Sequence, residues 1–443
     1  MSLTNGTVER RKEFSKEDVI VETSATFAKL ERVLQEAFDS DATILSGSAE
    51  RIGVMQGFLS RIVRVRLEWS GQKVKPGAEE KEEKKTSPPD SVVLKVPSTK
   101  NADEFAEGVE YLKDVDVEAQ RPTMLKQVQK VHNSECAFYR FAAGQESKLR
   151  IPHVYYIEEA DAEKKQDGMM IMEDFSDRGY VKNFWEFADL PLLKELASVL
   201  AALHALTLHD RSWLDNPNLK TTIASLYEDG VAEMGEAEQR AIDAALIGTL
   251  RKHPQHIPSH LVDKYAEDPK LLQPRKEHAD AHEQMGLPAV LVHGDFRISN
   301  LILEKDEAGQ ERLVALLDWQ MTHPGSAAED LARFLCCSAD AATRRQHTTA
   351  VLEHYHECLS KECRRLSDPP PFTLEHVKES YRRLFKHGVL FIAPGAPMLV
   401  ESEAGMGPAE DKEAAKETMV RNAGDLFREL DLLETQGQIP WEE

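Results

Sequence analysis

From Val290 to Gln320 the chain reads VLVHGDFRISNLILEKDEAGQERLVALLDWQ, and three oxygen-bearing side chains in it are spaced to meet. Two apolar runs, Leu301–Leu303 and Leu313–Leu317, flank the polar segment Glu304–Arg312, which contains Gly309. That pattern predicts a β-hairpin. An antiparallel hairpin returns its outer ends to one place, so Asn300 before the first strand and Asp318 after the second are expected side by side. Asp295 stands five positions before Asn300, on the loop that enters the hairpin. Hard Mg²⁺ takes carboxylate and amide oxygens together with phosphate oxygens, which makes Asn300 and Asp318 the candidate metal ligands. Asp295 is then free to accept a proton from an attacking hydroxyl, and His293 would orient the loop through its ring N–H groups. Phosphoryl transfer asks a protein for little beyond positioning and charge neutralisation, so this minimal set is sufficient for it.

Taken singly, Asp and Asn also occupy hairpin ends as turn residues. Together, the H-x-D-x-x-x-x-N spacing and the strand-ending Asp have the order and context of kinase catalytic and metal-binding loops. Upstream, Ser91–Val96 (SVVLKV) reads as a short strand carrying Lys95, and Leu125–Phe141 reads as a helix. Val128, Val131 and Phe138 share an apolar face of that helix, and Glu135 falls on the same face. A charged group facing inward needs a partner, so Lys95 and Glu135 are the candidate ion pair beside the phosphates, although each could instead reach solvent at an edge. The segment Gly53-Val54-Met55-Gln56-Gly57-Phe58-Leu59-Ser60 offers two glycines whose backbone N–H groups could approach phosphate oxygens, and it equally fits a hairpin turn. Met172-Glu173-Asp174-Phe175 would present backbone groups to adenine.

The elements that must hold these residues divide the chain unevenly. Residues 1–40 read as an N-terminal helical extension. Residues 41–173 form a β-rich nucleotide-binding lobe, in which Leu59, Val63, Val65, Leu67 and Trp69 alternate with charged neighbours as in a half-buried strand. A run dense in Glu, Lys and Pro, residues 71–90, reads as a flexible surface loop. Short strands at His153–Glu158 and Gly168–Glu173 lead to a largely helical catalytic and substrate lobe, residues 174–443. That lobe opens with a strongly amphipathic Leu190–Leu208 and carries an insertion at about 221–288, read as a cap. The expected class is α+β, a protein-kinase-like two-lobed fold with a small β-rich lobe and a larger helical one.

Bulk composition narrows the partners. Net charge is −22, from 55 basic against 77 acidic residues. Such a surface repels polyanions, so neither nucleic acid nor an anionic membrane is an expected partner. The five cysteines are odd in number with no zinc-ligand spacing, and residues 1–13 lack an apolar signal core. No stretch of about 18 to 20 uncharged apolar residues is read as membrane-spanning. A cytoplasmic monomer is the expectation. His278 and His282 are set aside as a solvated pair, Cys336-Cys337 and His204 as packing, and Asp330 as a helix N-cap or loop anchor.

HGDFRISN together with LLDWQMTHPGSAAEDLARFL resembles the choline kinase and aminoglycoside phosphotransferase superfamily, most of all its animal branch of ecdysteroid-kinase-like proteins. GFLSRIVRVRLEW, VVLKVPS, HNSECAFYRF and MEDFSDRG extend the similarity over roughly residues 40 to 400. The resemblance implies a kinase-like fold and ATP-dependent phosphorylation of a small-molecule hydroxyl. It implies Asp295 as catalytic base, Asn300 and Asp318 on Mg²⁺, and Lys95 on the phosphates. Relatives often carry an aromatic residue near position 297, where this chain has Arg297. A protein kinase fits less well, because Gly294 replaces the Arg that grips a phosphorylated activation loop and no A-P-E segment follows Asp318. A nucleotide-binding pseudokinase with a regulatory or scaffold role is the alternative from another class. The acceptor is open among a steroid alcohol, choline or a sugar.

Overall fold

The computed structural model describes residues 14–53, 59–70, 87–100, 117–220, 222–233, 235–273, 280–401 and 412–441. Its N-terminal part is built on one antiparallel sheet. The strands are β1 (Ile44–Ile52), β2 (Ser60–Trp69), β3 (Ser91–Pro97), β4 (Val154–Glu158) and β5 (Met169–Glu173), in spatial order β1-β2-β3-β5-β4. Strand alternation gives this sheet two unlike faces. Val63, Val65, Leu67, Val92, Leu94 and Ile171 are buried on one, against Phe27, Leu30, Val33 and Leu34 of α1 (Phe27–Phe38). The helix is therefore part of this core and no appendage to it, and an ion pair of 2.9 Å from Lys29 to Glu158 ties it to β4.

On the opposite face the register sets Lys95 between Ile62 of β2 and Met170 of β5. Facing it is α2 (Val117–Phe141), which is eight residues longer at its start than the apolar pattern predicted. Phe138 of α2 stacks on Trp319 at 3.7 Å between centroids and 7° between planes, which joins the N-terminal part to the turn after the 301–316 hairpin.

Beyond Phe175 the chain is mainly helical. Helix α3 (Leu190–His209) is capped by Asp189, whose side chain accepts the Leu192 N–H at 3.0 Å. It was expected to be amphipathic, but both α8 (Ala341–Arg365) and the short strand β6 (Val290–Val292) pack against it, and Leu192, Leu193, Leu196, Leu200 and Leu203 are all buried. By length and composition it would suffice to cross a membrane, although Lys194 and Glu195 interrupt its apolar run; 67% of its most apolar window is buried inside the molecule, as in a core helix.

The insertion region contributes α4 (Ile223–Glu233), α5 (Glu236–Arg251) and α6 (Ser259–Glu267), and α4 lies against α2 through the Gln127 amide on the Leu226 carbonyl at 2.9 Å. The predicted hairpin is present as β7 (Leu301–Lys305) and β8 (Glu311–Leu316), with Leu301 opposite Leu316. Strand β9 (His323–Gly325) pairs with β6, and α7 (Glu329–Ser338) and α9 (Leu374–Ile392) pack together behind it. The chain closes with α10 (Lys412–Gln436).

Candidate active site

Lys95 leaves the cleft-facing side of β3 and reaches two carboxylates at once. Its ammonium is 2.5 Å from Glu135 of α2 and 2.5 Å from Asp318 at the end of β8. Burial pulls the ammonium pKa down, but Asp318 and Glu135 outweigh it and hold Lys95 above the ordinary lysine value. Burial also pushes the Glu135 carboxyl up, against the pull of Lys95. Asp318 has a left-handed backbone (φ 69°, ψ 59°), unfavourable by about 1–3 kcal/mol for a residue with a Cβ and found mainly where the surroundings demand it.

The loop before the hairpin is anchored from three sides. Asp330, in the first turn of α7, accepts the backbone N–H groups of His293 at 2.7 Å and Gly294 at 3.0 Å. It acts as a loop anchor, while Ala328 takes the cap position. Burial pushes the Asp330 carboxyl up to about 6. His293 spans the site: its Nε2 lies 2.9 Å from the Leu317 carbonyl, and its Nδ1 accepts the Asp295 N–H at 3.1 Å. One ring nitrogen therefore donates and the other accepts, in place of the two N–H donors expected, and burial lowers its pKa to about 4. Gly294 has φ +76°, and a Cβ there would strike the Met321 carbonyl. The position excludes any larger side chain by geometry alone.

Asn300 donates Nδ2 to the Asp295 carbonyl at 2.8 Å, so its Oδ1 is left as the outward-facing group. The Leu317 N–H bonds the Asn300 carbonyl at 2.9 Å, which sets Asn300 and Asp318 at the same end of the hairpin, as the spacing predicted. Asp295 is held through one oxygen: Arg333 of α7 reaches its Oδ1 at 2.5 Å and Arg297 reaches the same oxygen at 3.2 Å. Burial raises this carboxyl, and the two guanidiniums outweigh it and hold it below the usual aspartate value.

The sequence reading passed over Arg333 as part of an apolar run. Its signal was there: an Arg inside DLARFLCC must be buried and so must be paired. Asp174 was read for its backbone alone; its carboxylate accepts from Ser91 at 2.6 Å and Arg64 at 3.0 Å and so closes one side of the cleft.

A cavity of about 400 Å³ lies between the sheet and the hairpin. Ile52, Ile62, Val93, Met172, Ile302 and Leu317 form its apolar walls, and Lys95, Glu135, Asn300 and Asp318 gather at one side. Gly53 (φ 63°), Glu173 and Phe175 line it as expected. Ser60 does not; it is buried opposite Pro97 at the start of β2. Gly57 and Phe58 lie outside the described residues, as do His278 and the segment 71–86. His282, read as solvated, is buried and lines a second cavity of about 290 Å³ behind Gly294. Cys336 and His204 are core residues as read.

A five-stranded antiparallel sheet bearing a Lys–Glu pair, joined to a helical part that presents the 293–300 loop and the β7–β8 hairpin, defines a two-lobed kinase-like fold. The chain belongs to the DUF1679 family, whose profile, described as "Uncharacterized oxidoreductase dhs-27", matches residues 14–435. A Caenorhabditis elegans protein named "Uncharacterized oxidoreductase dhs-27" is 23% identical over 375 residues, 81% of this chain and 40% of that protein. The chain thus spans less than half the length of the curated relative it matches. Solved structures similar to it include choline kinase from Cryptosporidium parvum, with 11% identity, 89% of this chain and 92% of that one covered, and a TM-score of 0.44. Another is wild-type aminoglycoside 2'-phosphotransferase-IIIa bound to GDP, with 12% identity, coverage of 91% and 97%, and a TM-score of 0.35. A third is Plasmodium vivax ethanolamine kinase, with 12% identity, coverage of 86% and 83%, and a TM-score of 0.36.

Proposed function

We propose that the chain is a phosphotransferase that moves the γ-phosphate of Mg-ATP to a hydroxyl of a small molecule. The observation that carries this reading is the meeting of Lys95, Glu135 and Asp318 at 2.5 Å contacts beside Asn300, in a cleft large enough for a nucleotide. The apolar walls suit an adenine ring, with the Met172–Phe175 link beside it. Lys95 takes the phosphate oxygens, and Glu135 keeps it aimed.

The donor set suits Mg²⁺. Asn300 is held so that its amide oxygen is available, and Asp318 adds a carboxylate at the same hairpin end. Mg²⁺ commonly takes one or two protein oxygens and the rest of its ligands from phosphate and water, a demand that these two side chains fit. When bound, Mg²⁺ supplies neutralisation of phosphate charge. Asp295 orients the acceptor hydroxyl and receives its proton, while His293 and Asp330 hold the loop that carries it.

The word oxidoreductase in the relative's name does not carry over to this reading. Every strand pairing among the described residues is antiparallel, which disfavours the parallel βαβ unit that holds a dinucleotide, and more than half of the relative lies outside the match.

The test is transfer of label from γ-labelled ATP into a fractionated small-molecule extract, with wild type and Asp295→Asn compared. A labelled product made only by wild type supports the reading and gives the acceptor by mass. Mg²⁺-dependent stabilisation by ATP without any product favours the pseudokinase reading.

A further inference from the structure

The catalytic carboxylate is held asymmetrically. Both guanidiniums that reach Asp295 contact Oδ1, Arg333 through Nη2 at 2.5 Å and Arg297 through Nε at 3.2 Å. Each guanidinium is itself fixed. Arg297 donates Nη1 to the Ser299 hydroxyl at 2.8 Å, and Arg333, only 1% exposed, lies across the Phe391 ring of α9 with its guanidinium carbon 2.8 Å from the ring centre. A guanidinium placed over an aromatic face is poorly matched by an ammonium.

We propose that Arg333, steadied on Phe391, is a positioning residue that with Arg297 clamps Oδ1 of Asp295 and leaves Oδ2 as the only oxygen for the acceptor hydroxyl. The inference rests on the phosphotransfer reading. The step it serves balances as follows. The acceptor oxygen forms a bond to the γ-phosphorus of ATP, and the bond from that phosphorus to the β,γ-bridging oxygen breaks with its electron pair left on ADP. The acceptor's O–H proton passes to Oδ2. In a loose transition state the acceptor hydroxyl becomes acidic only late, so a weakly basic carboxylate in the right place serves better than a stronger base that can rotate. The two guanidiniums fix that placement, because both hold Oδ1 and so bar the rotamer that would exchange it with Oδ2.

The test separates this from a packing role and from failure of the phosphotransfer reading. Asp295 is followed by ¹³C NMR of aspartate-labelled protein, its carboxyl resonance identified by loss in Asp295→Asn. In Arg333→Met the carboxyl should titrate at least one pH unit higher than in wild type, while Arg333→Lys restores much of that shift. With any acceptor, water included as in slow Mg-ATP hydrolysis, the acid limb of turnover should move upward by the same interval in Arg333→Met. Turnover in Arg333→Lys should stay at least tenfold low, because an ammonium lacks the guanidinium that lies over Phe391 and also reaches Oδ1. If Arg333→Met does not fold, Arg297→Gln gives the same carboxyl readout from the more exposed partner. An unmoved Asp295 titration in a folded variant overturns the clamp, whether or not the chain turns over ATP. A moved titration with no transfer to any acceptor keeps the clamp and sinks the phosphotransfer reading.

Discussion

Lys95 on β3 and Asp318 at the end of β8, 223 positions apart, meet at 2.5 Å. The contact joins the sheet-bearing part of the molecule to the helical part through one ammonium, which Glu135 shares from α2. Replacing Lys95 with Met should lower turnover about a hundredfold to a thousandfold, by analogy with the loss of a single transition-state donor. Steady-state phosphate transfer checks this, and turnover within threefold of wild type would contradict it.

The same ammonium neutralises a carboxylate on α2 that is 1% exposed. Lys95→Met should therefore destabilise the fold by about 3 kcal/mol, because it leaves buried carboxylates without their cation. Adding Glu135→Gln in the same chain should recover a large part of that loss. Denaturant unfolding of the two variants decides it; a double variant no more stable than the single one would show that the pair is not buried in the sense argued.

Gly294→Ala should be disproportionately harmful for a single methyl group. The backbone there has φ +76° and the added carbon would meet the Met321 carbonyl, so the loop that carries Asp295 must shift. We expect a stability loss of about 2 kcal/mol and a larger loss of turnover, with ATP affinity nearly unchanged because Lys95 is untouched. Isothermal titration with a non-hydrolysable ATP analogue separates the two effects.

Asn300→Ala removes the amide oxygen proposed for Mg²⁺ and also the bond to the Asp295 carbonyl. The Mg²⁺ concentration for half-maximal turnover should rise by about tenfold, on the scale of losing one contact to a charged group. A variant whose Mg²⁺ dependence matches that of wild type would remove Asn300 from the metal site.

Acid stability follows from the buried histidines. His293 and His132 are lowered to about 4 and His204 to about 3 by burial, all below the ordinary value of 6.5. Between pH 6.5 and 4 the unfolded chain binds protons that these rings refuse in the fold. Stability therefore rises with pH across that window and falls on acidification, by up to about 1.4 kcal/mol per pH unit for each ring. Asp330, pushed up to about 6, works in the opposite sense between its ordinary 3.8 and that value. The decisive measurement is the slope of unfolding free energy between pH 6.5 and 5 in wild type and His293→Asn. The variant should be shallower by about one proton, and equal slopes would contradict the assignment.

Much of the site could be read without a structure because its spacing is local. Two apolar runs with a polar turn between them specify a hairpin register, and antiparallel pairing then brings Asn300 and Asp318 together regardless of what surrounds them. Strand parity likewise put Lys95 opposite the buried Leu94 and Val92, and helix periodicity put Glu135 on the inner face of α2. These are consequences of periods of 2 and 3.6, which a sequence carries openly.

What the chain could not reveal by itself depends on which distant elements pack together. That α8 and β6 both pack against α3, which is therefore buried where an exposed face was expected, is a property of its neighbours. The same holds for His282, and for Arg333, whose Asp295 partner lies on another element. A buried charge announces that it must be paired, but only tertiary structure decides with which group, because the field that chooses the partner comes from residues far away in the sequence. The residue types and local spacing determined what chemistry the site could perform; the packing of α7 against the loop, with α9 behind α7, decided how the Asp295 carboxylate is held.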